Sequence, residues 1–134
     1  VFTACFTFLP GMLERSKFTH ALVAHSHLAM AGLITSFNFA LLAALAPPGP
    51  TRDHLGNPIA FASWQGGLLL HLLVLAALGE WEALAPHALF IGSGTTDFLL
   101  VMRMLSGLVL FSTAAWWWHA TLPDPAPATE EITP

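Results

Sequence analysis

The chain has 134 residues, 55% hydrophobic and 9% charged, with a formal net charge of −4 and a mean hydropathy of +0.67. Soluble domains carry about 25% charged residues, so this composition is too poor in charge for a water-facing surface, and the small acidic balance argues against a nucleic-acid partner. A lone cysteine, Cys5, excludes an internal disulfide, and the lack of tyrosine excludes a tyrosine radical or tyrosine proton relay within these residues.

The opening Val1-Phe-Thr-Ala-Cys-Phe-Thr-Phe-Leu9 is apolar but lacks the positive flank of a signal peptide. Pro10-Gly11 breaks it after fewer than the roughly 20 residues a bilayer crossing needs. It is expected to be the end of a span that begins outside these residues, with a re-entrant or interfacial segment as the alternative. Glu14, Arg15 and Lys17 then form an expected charged loop, and Ser16 and Thr19 are candidate N-caps for the next helix.

The first full span is expected over about residues 18–46, where Pro47-Pro48-Gly49-Pro50 stops it, and Thr51 to Asn57 read as a polar connection. The second span covers about 59–79, with Trp64 and Trp81 as interfacial anchors and Glu80 and Glu82 marking the exit. Residues 83–96, with Pro86, His87 and Gly92-Ser93-Gly94, read as a loop lying on the membrane surface. Asp97 is the expected cap of a third span over about 97–119, whose Trp116-Trp117-Trp118 run suits a lipid boundary. From residue 123 the chain is rich in proline and acid and is expected to be disordered. The expectation is thus an all-α integral membrane fold: three transmembrane helices plus a partial N-terminal span in 1–122, then a tail over 123–134. Arg15 and Lys17 favour an inside location for the first loop, and Arg52 on the other side weakens that vote.

Histidines within a membrane span are costly and tend to be functional. His25 and His27 are two residues apart, and at about 100° per helical step they point to opposite sides of the rod. They cannot share one ordinary metal ion, but each can meet a different planar group. His25 shares its face with the small residues Ala21, Ala29, Gly32 and Ser36, a stripe that admits either a flat macrocycle or another helix backbone. The alternative is a plain packing seam with the histidines hydrogen-bonded to neighbouring helices. His20 lies on the His27 face but roughly 10 Å away, too far to join it on one metal. Arg103, inside the third span, suits a propionate or lipid phosphate, an acidic partner, or snorkelling to the interface. His71 is read as a packing histidine, His87 and His119 as interface residues, and Glu80-Trp81-Glu82 as a solvated loop.

The string Val23-Ala24-His25-Ser26-His27-Leu28, with Thr19 before it and Gly32 after it, resembles the tenth helix of haem-copper oxidase subunit I. A following span with Gly66-Gly67 and His71, then Met104-Leu-Ser-Gly-Leu-Val-Leu110, continues the likeness over about residues 18–119, most similar to the divergent branch that includes the B-type oxidases. The resemblance implies that His25 is the axial ligand of a high-spin haem beside copper and His27 an axial ligand of a low-spin haem, with Gly32 and Arg103 in the cofactor surroundings. Three further copper histidines and a second low-spin ligand belong to earlier spans of that family, so copper enters only if the rest of the subunit or complex supplies them. Ser26 replaces the family's aromatic, and Glu80 and Glu82 stand where paired arginines clamp the propionates.

The implied function is a haem-binding part of a respiratory electron-transfer complex in a bacterial-type inner membrane. It would work among other membrane subunits and lipid, and would not be competent alone. The alternative is a non-catalytic accessory subunit, with structural histidines or one histidine on a chlorophyll magnesium. A transporter segment is weaker, because mid-membrane acids and broken helices are lacking.

Overall fold

The computed structural model describes residues 9–85, 87 and 93–122. Among them all regular structure is helical: α1 Met12–Ser16, α2 His20–Leu45, α3 Pro50–Leu55, α4 Pro58–Leu84 and α5 Gly94–Ala120. The expected partial span (residues 1–8), residues 86 and 88–92 of the expected surface loop, and the tail lie outside the described residues; the loop's ends at 83–84 and 94–96 are helical, belonging to α4 and α5. Three stretches are long and apolar enough to cross a membrane: His20–Leu45, Pro50–Leu84 and Gly94–His119.

Residues expected as the first charged loop instead form the short α1, since Gly11 at φ 82° turns the chain into it. Phe18 then takes φ 62°, a left-handed setting that bulky side chains rarely adopt, and its ring is 96% exposed. This sharp turn delivers Thr19, whose hydroxyl accepts from the Ala21 N–H and caps α2. Inside α2, residues Leu28–Thr35 wind as a π-helix. Two side chains bond carbonyls within those wide turns: Thr35 Oγ1 donates to Met30 O at 2.9 Å, and Trp64 Nε1 donates to Ala31 O at 3.3 Å. Ala46 leaves helical geometry just before the two prolines.

The connection expected to be irregular contains α3, because Pro50 opens it at a position where its missing N–H costs nothing. Asn57 Oδ1 accepts from the N–H groups of Ile59 and Ala60 and starts α4, again with proline at the first position. Ser93, not Asp97, caps α5: its hydroxyl accepts from the Thr96 N–H, and Asp97 sits within the first turn. There its negative charge still favours the positive end of the helix dipole.

The central helix is α4, which packs on α5 along one side and on α2 along another. Leu55, Trp64 and Trp117 form the buried cluster, with Phe39 stacked on Trp117 at 4.1 Å. Two sequence expectations are corrected by it. Trp64 lies two turns inside α4 and is buried, so it is a packing residue and not an interfacial anchor. Of the tryptophan run only Trp116 and Trp118 are exposed; Trp117 is fully buried, because neighbours on a helix diverge by about 100°. Trp116 stacks on His54 at 4.3 Å, and the His54 ring N–H donates to the Trp116 carbonyl, holding α3 against the end of α5. The outer faces stay apolar, with Leu33, Phe37, Leu69, Leu73, Phe98 and Phe111 all exposed.

Candidate functional site

Helices α2 and α4 meet at two levels, each set by a glycine. At Gly79 a built Cβ would fall 2.6 Å from the Ala21 Cβ, and at Gly32 it would fall 3.3 Å from Leu68 Cδ2. Gly79 therefore lets the two helices touch nearly backbone to backbone, while Gly32 leaves room for the Leu68 side chain to pack on α2. Ala21 and Gly32 bracket the His-Ser-His run on α2, and Leu68 and Gly79 bracket His71 on α4.

On one side of this seam His25 lines a cavity of about 650 Å³ with Ala21, Ala24 and Leu28 of α2, Leu72, Leu73 and Ala76 of α4, and Met12 and Ser16 of α1. That volume is within the range of small-molecule and cofactor sites, about 300–1,000 Å³. Its walls are aliphatic, and Arg15 and Glu80 edge it, joined by an ion pair of 2.8 Å. His25 Nδ1 is buried with no hydrogen-bond partner. An unmet polar atom of this kind costs about 1–3 kcal/mol.

The other side of the seam is polar, and α5 reaches it. The His27 ring lies 5.3 Å from the His71 ring, centroid to centroid, tilted by 43°. His27 Nδ1 donates to the Val23 carbonyl at 2.9 Å, since a carbonyl can only accept. Buried Ser106 on α5 gives its own hydrogen to the Arg103 carbonyl at 2.8 Å, so it accepts from His71 Nδ1–H at 2.9 Å. Further along, Glu82 accepts from both the backbone N–H and the ring Nδ1–H of His20, each at 2.7 Å. The guanidinium of Arg103 can only donate, so its Nη1 at 3.1 Å finds the lone pair of His20 Nε2. A carboxylate, a neutral imidazole and a guanidinium from three helices are thereby tied in series. The carboxylate also satisfies an N–H that the first turn of α2 would otherwise leave open.

Of the residues singled out in the sequence, His25 faces the cavity, Gly32 packs against Leu68, His27 faces His71, and Arg103 binds His20. The structure does not bring them together on one surface. Glu80 and Glu82 are not a solvated loop: α4 continues through them to Leu84, because Arg15 and His20 engage the two carboxylates. Sequence reasoning missed the pairing of His20 with Glu82. The available signal was the acidic pair at the end of one span and the histidine at the start of another, which an antiparallel hairpin places at the same level. His71, read as a packing residue, does hydrogen-bond a neighbouring helix but also meets His27.

No protein-family model, curated protein or solved structure matches the chain.

Proposed function

We propose that this chain is a haem-binding part of a respiratory electron-transfer complex of the haem-copper oxidase kind, seated by its three long helices in a bacterial-type inner membrane among other subunits and lipid. The single observation that carries the reading is the His25 imidazole on the wall of an aliphatic cavity, its Nδ1 without a hydrogen-bond partner among the described residues. Imidazole nitrogen is the commonest metal ligand in proteins, and the surrounding alanines leave space for a flat group. His25 would hold the haem iron, Ala21, Ala24 and Ala76 would flank the macrocycle, and Arg15 at the cavity edge would meet a propionate. Bound there, haem supplies one-electron chemistry. The apolar outer faces of all three helices support burial in lipid or against partner subunits. A copper centre beside this haem would require three histidines from outside these residues.

The same cavity supports a second reading, since a pigment magnesium also takes one axial histidine and His25 is the one imidazole lining the space among the described residues. A reduced-minus-oxidised visible spectrum of the purified complex separates the two. Haem bands that disappear in His25→Ala support the first reading. Chlorin absorption lost in the same variant supports the second, and a colourless protein, or a spectrum indifferent to His25→Ala, overturns both.

A further inference from the structure

His27 does not suit a macrocycle on its inner side. The seam is closed at Ala21–Gly79 toward one end and at Gly32–Leu68 toward the other, so α2 and α4 leave no slot for a flat ring system between His27 and His71. We propose instead that His27 and His71 hold a small tetrahedral transition cation, zinc or cuprous copper, between the two helices.

Three observations carry this. First, both imidazoles are locked in the same tautomer. The Val23 carbonyl takes the His27 Nδ1 hydrogen, and Ser106, its own hydrogen given to Arg103, takes that of His71. Each ring therefore keeps a bare Nε2 lone pair, the orientation that outer hydrogen bonds impose on metal-binding histidines. Second, the spacing fits one geometry. With about 2.0 Å from cation to each nitrogen and a tetrahedral angle between them, two ring centroids lie about 5.2 Å apart; opposed on either side of an iron they would lie about 6.4 Å apart. The observed separation is 5.3 Å. Third, His71 is buried while His27 is exposed, so the site is anchored in the core and open on its outer side. Among the described residues no third histidine, cysteine, aspartate or glutamate completes a cluster. The remaining positions belong to water or to a group on a neighbouring subunit. Imidazole is a ligand type that both cations accept.

The site stands independently of the haem at His25, which lies across the seam. The test is cobalt(II) titration of the purified protein, since tetrahedral cobalt gives intense visible bands that the octahedral ion lacks, followed by displacement with zinc or with copper under reducing conditions. One equivalent of tetrahedral cobalt is expected. Affinity should fall at least tenfold in His27→Ala and in His71→Gln, and stay unchanged in His54→Ala and in His25→Ala. Ser106→Ala keeps both imidazoles but frees the His71 tautomer, and it should weaken binding by roughly 10- to 100-fold. Which metal displaces cobalt at the lower concentration identifies the resident cation. An octahedral spectrum, or wild-type affinity in His27→Ala, overturns the proposal. Haem bands can vanish in His25→Ala while cobalt binding persists, so the two readings fail separately.

Discussion

Replacing Gly79 by alanine is the most direct probe of the α2–α4 seam. The added methyl carbon would sit 2.6 Å from the Ala21 Cβ and 2.7 Å from its Cα, and its nearest neighbour would be the Ala21 backbone nitrogen. A backbone cannot swing away as a long side chain can, so the two helices must part. Overpacking of this kind costs about 1–3 kcal/mol, and the better helix propensity of alanine returns about 1 kcal/mol. Gly66→Ala is the matched control on the same helix, because a Cβ there meets nothing within 4 Å; it keeps the propensity gain without the clash. The two variants should therefore differ by about 2 kcal/mol in detergent-micelle unfolding followed by circular dichroism, with Gly79→Ala the less stable. If Gly79→Ala proves as stable as Gly66→Ala, the close approach of α2 to α4 is wrong, and the wall of the His25 cavity with it.

Other consequences follow from the same packing. Trp117→Ala should cost about 3–5 kcal/mol, while Trp118→Ala, at a position 69% exposed, should cost far less in the same unfolding assay. Glu82→Gln removes the charge received by two His20 donors and should destabilise by about 1.5–3 kcal/mol. Combined with His20→Ala in a double-mutant cycle, it should show non-additivity of about 0.5–3 kcal/mol. Arg15→Ala breaks an ion pair whose side chains are 50% and 60% exposed, so its effect should stay below about 1 kcal/mol and vanish as salt is raised through 1 M.

The helical class and the three long apolar stretches were legible in composition alone, because 9% charge leaves little choice. The ends of the helices were less so. Glu80 and Glu82 read as the end of a helix until Arg15 and His20, more than sixty positions earlier, are seen to meet them within α4. Such long-range pairing leaves no local trace. Asp97 and Ser93 are both good caps by type, and only the backbone decides that Ser93 carries the bond to Thr96. The π-helical stretch Leu28–Thr35 was invisible, since its residues Leu-Ala-Met-Ala-Gly-Leu-Ile-Thr are ordinary helix and span residues. For the candidate site, periodicity alone separated the directions of His25 and His27. Nothing in the order of letters placed His71 beside His27, because that depends on how far α4 slides along α2, which Gly32 and Gly79 set jointly.

The bond from Glu82 to the head of α2 bears on how the protein is made. Helix α2 emerges from the ribosome with an open amide at His20, and the carboxylate that closes it is synthesised 62 residues later. The α2–α4 hairpin is thus left unfinished until α4 is made and docks on α2. A chain halted before Glu82 should therefore fray at the head of α2, whereas one extended beyond Leu84 should hold that turn closed.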